Sequence, residues 1–394
     1  MKINRLIFSF LAVNIFTHPL YPQDEPEKKY SVNGYVSNMQ SVIFEDYKEN
    51  WITDNLFHNR INCSVYPAEE ITLTIQFRNR FMYGETIKYS AAYADAIDMD
   101  NGFLDLSMNI FNENSFFLNT AIDRIYLQIS KSKFVATIGR QRINWGISSV
   151  WNPNDIFNVQ NYFDFDYIEK PGSDAIRLQY YTGPASTVEF AAKINNEEKL
   201  TMAAYFKFNK AGYDLQFLGG FMEENDLVAG FGWSGDIRKI GFKGEMSYFH
   251  PMENSKDTSG IFLLSMGGDY MFSNSIFIQF EALYRDIPGE QSISDFLGWY
   301  QGNLNVKNIS FTDMSLFGSI SYPFSPLLNG TISAMYFPEL KGFFAGPQID
   351  YSATDNIQLS LISQFFNGEL PDPSKIFKER RNLFLGFLRF KWNF

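Results

Sequence analysis

The chain has 394 residues, of which 18% are aromatic, including 41 Phe and 22 Tyr. Its mean hydropathy is −0.20, and no apolar run of about 18 residues follows the N-terminus, which argues against membrane-spanning helices. A formal net charge of −11 argues against a nucleic-acid partner. Cys63 is the single cysteine, so an internal disulfide and a cysteine-based zinc site are excluded, and we expect neither a metal nor a cofactor.

The first 23 residues have the pattern of a secretory signal peptide. Lys2 and Arg5 supply the positive start, and residues 6–16 supply a short apolar core. The cleavage site is not defined by a clean pattern of small residues, and an uncleaved N-terminal anchor is the alternative. We predict that residues 24–394 form a single domain, without a plug domain or a linker.

The rest of the chain is predicted to consist of β-strands. Eighteen segments are assigned as strands: Tyr30–Phe44, Asn55–Tyr66, Glu70–Tyr83, Asn119–Ser130, Phe134–Ile143, Asp174–Thr182, Ser186–Ile194, Leu200–Asn209, Gly212–Met222, Asp226–Ser234, Ile237–Phe249, Gly260–Phe272, Ser275–Asp286, Phe311–Tyr322, Leu327–Pro338, Lys341–Ser352, Asp355–Phe366 and Asn382–Phe394. Many of them alternate apolar and polar residues, as strands with one oily and one polar face do. The thirteenth sets Ile278, Phe280 and Ala282 against Gln279 and Glu281.

The connections between these strands alternate between short and long. Every even-to-odd connection is a tight turn, whereas the long connections are all odd-to-even, including Gly84–Leu118, Asn144–Ser173 and Ile287–Ser310. This parity is typical of a transmembrane antiparallel up-and-down β-barrel with an even number of strands, short periplasmic turns and long outer loops. We therefore predict an all-β barrel of about 18 strands, with 16 as the alternative.

The last strand carries the strongest membrane signal. Residues 384–394 alternate an aromatic face with a face that includes Arg389 and Lys391, and their length suits a tilted strand crossing a bilayer. The alternative is an amphipathic edge strand of a soluble sheet. The segment resembles the terminal strand of Gram-negative outer-membrane barrels, which the barrel-assembly machinery recognises. The resemblance implies that the assembly signal comprises Gly386, Phe390, Trp392 and Phe394.

The third outer loop, Asn144–Ser173, is rich in aromatic and acidic residues. Aromatic side chains favour burial, so we expect this loop to fold into the barrel and narrow it, as the third loop of general porins does between their fifth and sixth strands. The Gly-Arg-Gln-Arg at 139–142, the Trp-Gly at 145–146 and the Trp-Asn-Pro-Asn-Asp-Ile-Phe-Asn at 151–158 resemble a poorly characterised group of porin-like outer-membrane proteins. The resemblance implies a class of protein and does not identify a solute.

Arginines and acids are concentrated around this loop. The arginines expected to face the lumen from the third to sixth predicted strands are Arg78, Arg80, Arg124, Arg140, Arg142 and Arg177, and the loop acids expected opposite them are Asp155, Asp164, Asp166 and Glu169. Facing rows of opposite charge create a transverse field that selects polar solutes. The alternative is that the charges pair directly and only pin the loop to the wall. We predict that Arg140 and Arg142 help to set ion selectivity.

Two tryptophans and two histidines have alternative roles. Trp145 and Trp151 could stack on sugar rings, but packing inside the loop is the simpler prediction. If the signal is removed, His58 and His250 are the remaining histidines, and no nucleophile motif or metal-ligand spacing accompanies either of them. We therefore expect the protein not to be an enzyme.

The sequence thus favours a porin-like channel in the outer membrane of a Gram-negative bacterium, exported through a cleaved signal peptide. Passive diffusion of small polar solutes is the preferred function. A substrate-specific channel for sugars or organic acids is one alternative, and a non-conducting barrel acting as adhesin, receptor or scaffold is another. The expected partners are outer-membrane lipid, the barrel-assembly machinery and small polar solutes, and a homo-oligomer is possible.

Overall fold

A computed structural model describes most of the chain: residues 29–48, 51–90, 92–159, 162–163, 166–167, 169–253, 259–286, 305–310, 312–371 and 378–394. The predicted signal peptide at residues 1–23, the predicted strand start at Phe311 and the predicted loop acid Asp164 lie outside this part. No helix in the described residues is long and apolar enough to cross a membrane.

The described residues form nineteen strands and two short helices. The strands are β1 Tyr30–Phe44, β2 Ile52–Ala68, β3 Ile71–Gly84, β4 Ser107–Glu113, β5 Phe116–Lys131, β6 Phe134–Gln141, β7 Ser173–Gly183, β8 Ser186–Ile194, β9 Leu200–Lys210, β10 Tyr213–Met222, β11 Asp226–Ile237, β12 Ile240–Pro251, β13 Ile261–Met271, β14 Phe277–Asp286, β15 Met314–Ser325, β16 Leu328–Phe337, β17 Gly342–Thr354, β18 Ile357–Pro371 and β19 Lys378–Asn393. The helices are α1 Glu85–Tyr89 and α2 Tyr93–Asp98, and 3-10 turns cover Val306–Asn308 and Pro338–Leu340.

The sheet closes on itself into an antiparallel barrel. Consecutive strands pair along the chain, β3 pairs with β5, and β1 pairs with both β2 and β19. Eighteen strands therefore form the closed wall, which confirms the predicted barrel and its strand number. A closed wall leaves no sheet edge with unpaired backbone groups. We call its two ends the short-turn end and the long-loop end, after the connections found there.

The nineteenth strand, β4, was not predicted and lies in the long connection after β3. Strand β5 pairs with β6 through residues 125–131 on one edge, and β4 continues the same edge through residues 116–121. Strand β6 ends at Gln141, two residues earlier than predicted, because the chain there turns into the barrel. Strand β4 of the outer segment, residues 85–90 and 92–115, thus lies along the edge of β5 where β6 leaves it.

The last strand fixes the register of the closure. Leu388, Phe390 and Trp392 point outward and are 56%, 42% and 43% exposed, whereas Arg389 between them is buried at 7%. Phe394 exchanges two backbone hydrogen bonds of 3.0 Å with Gly34 of β1. The predicted two-faced pattern of this strand is therefore present, and the terminal residue itself joins the first strand.

The lumen is not polar throughout, even though many of the strands alternate apolar and polar residues. Towards the long-loop end, its walls from β8 to β17 carry a buried apolar cluster that includes Leu218, Met222, Val228, Phe249, Leu263, Leu283, Phe317, Met335, Phe337 and Phe344. Val306 and Ile309, from a long connection, join this cluster. Alternation alone could not predict this because it separates the two faces of a strand but not the two ends of a lumen.

Deleting Phe394 should reduce assembly of the barrel severalfold, because the deletion removes both backbone bonds to Gly34 and one outward aromatic ring. Membrane fractions can be compared for the heat-modifiable folded form on a denaturing gel. Phe324→Ala is the matched control, since it removes an outward-facing ring that is 64% exposed and lies away from the closing strands. Equal yields of both variants would contradict an assembly role for the terminal residue.

Candidate functional site

The described residues between β6 and β7, namely 142–159, 162–163, 166–167 and 169–172, lie inside the barrel, and we call them the inward loop. The first half of this loop ends at Asn158. The Asn158 side chain hydrogen-bonds to Ile143, just after β6, and to Ser173, the first residue of β7. The Ile143 amide donates to Asn158 Oδ1 at 2.8 Å, and Asn158 Nδ2 donates to Ser173 Oγ at 2.9 Å. The first half, residues 143–158, is therefore a closed lobe whose two ends meet at the wall.

Trp145 anchors this lobe to the nearest strands. Its indole Nε1 donates to Glu189 Oε2 of β8 at 3.0 Å, and its carbonyl accepts from Gln216 Nε2 of β10 at 2.9 Å. The indole stacks on Tyr205 of β9 with ring centroids 5.1 Å apart, and it meets Phe157 edge-on at 4.9 Å. Trp145 is only 2% exposed, so its ring packs between loop and wall and presents no face to a solute in this structure.

Glu281 of β14 binds the tip of the lobe through consecutive backbone amides. Its carboxylate accepts from the amides of Ser149 at 2.9 Å, Val150 at 3.2 Å and Trp151 at 2.7 Å. Glu281 is 0% exposed and the Trp151 side chain is also buried. A buried carboxylate needs such donors because an unsolvated charge without them is costly.

Glu245 of β12 repeats the arrangement on the neighbouring part of the wall. Its carboxylate accepts from the amides of Ile147, Ser148 at 2.5 Å and Asn154 at 2.9 Å. It too is 0% exposed. Six loop amides thus converge on two wall carboxylates, and both glutamates were absent from the predicted site although alternation had placed Glu281 on the polar face.

The second half of the inward loop reaches the opposite wall. Tyr162 meets Phe317 of β15 edge-on, with ring centroids 5.2 Å apart, and Phe163 meets Phe344 of β17 at 4.9 Å. Both wall rings belong to the apolar cluster of the lumen. Since the first half contacts β8 to β14 and the second half contacts β15 and β17, the loop spans the cross-section of the barrel.

The returning limb of the loop lies against β1 to β5. His58 Nδ1 and Asp166 Oδ2 are 3.1 Å apart. Burial opposes ionisation of Asp166, but the hydrogen bond and charge of His58, together with Arg389 and Arg78, hold the pKa of this carboxyl below its usual range. The loop acid is therefore a charged anchor whose partner is a buried histidine that the predicted site did not include.

Glu169 binds the same wall next to Asp166. Its carboxylate accepts from the Tyr35 hydroxyl at 3.2 Å and lies 3.7 Å from Nε of Arg60. Its carbonyl accepts from Nη2 of Arg124 at 2.8 Å and from Nη1 of Arg142 at 3.4 Å. The predicted acids and arginines do meet here, but mainly through backbone carbonyls and through Arg60, which the prediction missed.

A bulge in β5 explains why the charge network differs from the predicted one. Gln76 of β3 pairs with Arg124, but Phe77 pairs with Ile122, so Asp123 has no partner on β3. Because of this bulge, Asp123 and Arg124 both point into the lumen. Asp123 binds the buried Arg60 and lies 3.2 Å from Nε of Arg78. Arg78 also covers the Tyr167 ring at 3.8 Å, which holds the returning limb.

Arg140 does not line the lumen, which corrects the prediction. It lies on the same face of β6 as Ile138, which points outward and is 53% exposed. Its guanidinium binds Asp174 of β7 at 2.7 Å and Asp100 of the outer segment at 2.5 Å, and it donates to the carbonyl of Leu104. Arg140 therefore fastens the outer segment over the wall.

Two other predicted arginines also serve local contacts. Arg80 donates to the carbonyl of Ile97 in α2 and to Asn119 Oδ1, each at 3.0 Å. Arg177 binds Glu189 of the adjacent strand at 2.6 Å. Of the six predicted arginines, three therefore contact the returning limb of the inward loop: Arg78, Arg124 and Arg142.

Asp155 lies inside the first lobe and does not face the arginines of β3 and β5. It is 2% exposed, and its Oδ1 has no hydrogen-bond partner within the described chain. Burial raises the pKa of this carboxyl from its ordinary 3.8 to about 8; the Arg142 guanidinium opposes the rise and Glu245 adds to it. The Asp155 carboxyl therefore stays protonated, and neutral, to a higher pH than usual when the lobe is bound to the wall.

Comparison with known proteins supports the fold. Residues 126–259, about a third of the chain, match a family described as a protein of unknown function, DUF1302. No curated protein matches the chain in sequence.

Among solved structures, Acinetobacter baumannii OccAB4 is 9% identical, covers 94% of this chain and 100% of its own, and has a TM-score of 0.55. Pseudomonas aeruginosa OpdQ is 8% identical, with coverages of 93% and 99% and a TM-score of 0.56. The outer membrane protein OpdK of Pseudomonas aeruginosa is 7% identical, with coverages of 92% and 98% and a TM-score of 0.55. The coverages and TM-scores show a shared barrel fold, and at identities this low the similarity extends to the fold alone.

Replacing Glu245 and Glu281 together by Gln should release the first lobe. Each amide side chain keeps one acceptor oxygen but turns an NH₂ group towards backbone donors, which costs about 1–3 kcal/mol for each buried site. The apparent Tm in detergent should fall clearly. Asp269→Asn is the control, since Asp269 on β13 hydrogen-bonds to no described residue of the inward loop. A Tm loss no greater than that of the control would contradict the anchoring role.

The raised pKa of Asp155 predicts a specific pH dependence. Between pH 4 and pH 8 the folded carboxyl keeps a proton that the unfolded one has lost, so stability should decline as pH rises from about 4 towards about 8. Asp155→Asn should flatten this part of the Tm profile and match or exceed the wild type at pH 8. The exposed Asp105→Asn should keep the wild-type profile. A parallel profile for both variants would show that Asp155 ionises normally.

Proposed function

We propose that the protein is an outer-membrane channel for passive diffusion of small polar solutes, with the inward loop as its constriction. The observation that carries the proposal is the path of that loop, which contacts opposite walls of an 18-strand barrel at its middle. A barrel of this width would otherwise hold an aqueous passage. The barrel fold shared with outer-membrane proteins supports placement in the outer membrane. Export through a cleaved signal peptide and insertion by the barrel-assembly machinery are further parts of the proposal.

The distribution of side chains supports selection of solutes by charge and size. Beneath the loop, towards the short-turn end, Arg124, Arg142 and Arg177 lie among amide and hydroxyl side chains. Above it, the apolar cluster narrows the passage from the side of β8 to β17. Solutes would pass beside the returning limb, where the wall of β1 to β5 is charged, rather than through the apolar cluster.

A non-conducting barrel is the second candidate, because the loop fills the cross-section and packs on the apolar cluster. Planar-bilayer recordings separate the two functions. The proposal expects a small, reproducible single-channel conductance that rises when the first lobe is shortened. A folded, inserted protein without conductance, whose lobe-shortened variant also fails to conduct, would favour a scaffold or receptor. We propose no enzymatic role, since neither a nucleophile motif nor metal-ligand spacing accompanies His58 or His250.

Charge selectivity should depend on Arg142 and not on Arg140. Arg142→Gln removes a positive charge from the lumen, so the reversal potential in a salt gradient should shift towards cation preference. Arg140→Gln is the matched control, because that guanidinium lies outside the lumen and binds the outer segment. An unchanged cation/anion ratio in the folded Arg142 variant, or an equal shift in the control, would contradict a selectivity role for the lumen arginines.

A further inference from the structure

A polar cavity of about 190 Å³ lies beneath the inward loop. The residues that line it include Arg124, Tyr126, Gln128, Thr137, Arg142 and Arg177. The walls come from β3, β5, β6 and β7, and Arg142 at the start of the loop completes them. Its volume is below the roughly 300–1,000 Å³ of pockets that enclose drug-sized ligands, so a ligand must be small.

The charge in this cavity is positive. Three arginines line it, and none of the lining residues in the described chain is acidic. Arg177 is neutralised by Glu189 at 2.6 Å. Arg124 instead donates to the carbonyls of Asp123 at 2.8 Å and Lys170 at 2.7 Å, and the nearby Asp123 carboxylate is shared with Arg60 and Arg78. A small anion would therefore be favoured over a neutral solute of the same size.

The cavity also offers polar groups with unused hydrogen-bonding capacity. Gln128 Nε2 donates to Ser130 Oγ at 3.0 Å, which leaves its carbonyl oxygen available. The Oγ1 of Thr137 and the phenol of Tyr126 have no hydrogen-bond partner among the described residues, and both line the cavity. Hydroxyl groups of a ligand can both donate to and accept from such groups.

We propose that this cavity binds a small anion that also carries a hydroxyl group, of which glycolate is the simplest carboxylate example. The anionic group lies towards Arg124 and Arg142, and the hydroxyl lies towards Thr137 and Gln128. The inference rests on the proposed channel function, because the ligand must enter the lumen. It goes further by assigning a binding site beneath the constriction, on the side of the short-turn end.

Saturation-transfer NMR on the whole protein in detergent micelles tests this site with three probes: sodium glycolate, sodium acetate and ethylene glycol. The site predicts that glycolate binds more tightly than acetate, which lacks the hydroxyl, and that acetate binds more tightly than ethylene glycol, which lacks the charge. Glycolate that binds no better than acetate, or than ethylene glycol, would overturn the proposal.

Variants locate the binding in the cavity. Thr137→Val with Gln128→Leu should weaken glycolate binding about tenfold and change acetate binding little, because the pair removes hydrogen bonds to the hydroxyl. Thr331→Val, elsewhere on the lumen wall, is the control for an isosteric loss of a hydroxyl. Equal effects of the double variant and the control would overturn the assignment. Heat-modifiability confirms that each variant is folded.

Conductance recorded on the same preparations separates this inference from the proposed function. A conducting protein that fails to bind glycolate retains the channel proposal and loses the binding site. A non-conducting protein that binds glycolate through Thr137 and Gln128 keeps the site and overturns the channel proposal.

Discussion

The inward loop depends on two glutamates that are buried in the barrel wall. Glu245 and Glu281 have no solvent exposure, and each accepts hydrogen bonds from three backbone amides of the loop's first lobe. The dependence is mutual, because the carboxylates need donors inside the barrel and the loop backbone needs acceptors away from water. Three amides converge on each carboxyl group, so the hydrogen bonds fix the position of the lobe as well as its presence in the lumen.

The remaining contacts of the loop divide the lumen into unlike regions. Aromatic rings at 162–163 join the apolar cluster near the long-loop end. The returning limb instead meets charged residues of β1 to β5, where His58 and Arg60 bind the loop acids. Beneath the loop the wall is polar and positive. A solute entering from the long-loop end would thus first meet the apolar cluster. It would then pass the charged residues between the returning limb and β1 to β5, and finally reach the positively charged cavity.

Much of the architecture could be predicted from the sequence because strand alternation and connection length are local properties. They gave the closed 18-strand barrel, the two-faced last strand and the polar position of Glu281. The inward course of residues 144–173 followed from their aromatic content. What alternation could not supply was a bulge: at Asp123 and Arg124 the strand turns two consecutive side chains into the lumen.

Other parts of the site depend on contacts between distant segments. Arg140 was expected in the lumen because of its charge, yet Asp100 and Leu104 of the outer segment cover it on the other face of β6. The loop partners of Glu245, His58 and Arg60 lie about 90 or more residues away along the chain, and Asp123, the other acidic partner of Arg60, lies 63 residues away; no local pattern predicts such pairs. The predicted roles of Asp164 and of the assembly signal stay predictions.

The inward loop lies against the far wall of the lumen, and an engineered disulfide between the loop and this wall tests that position. Ser148 Oγ of the loop and Ser265 Oγ of β13 are 3.1 Å apart. In a Cys63→Ser background, Ser148→Cys with Ser265→Cys should form a disulfide almost completely in the membrane-inserted protein, without a reducible shift in either single variant. Two thiols that remain free, and that a polar maleimide labels readily, would show that the loop does not occupy the lumen.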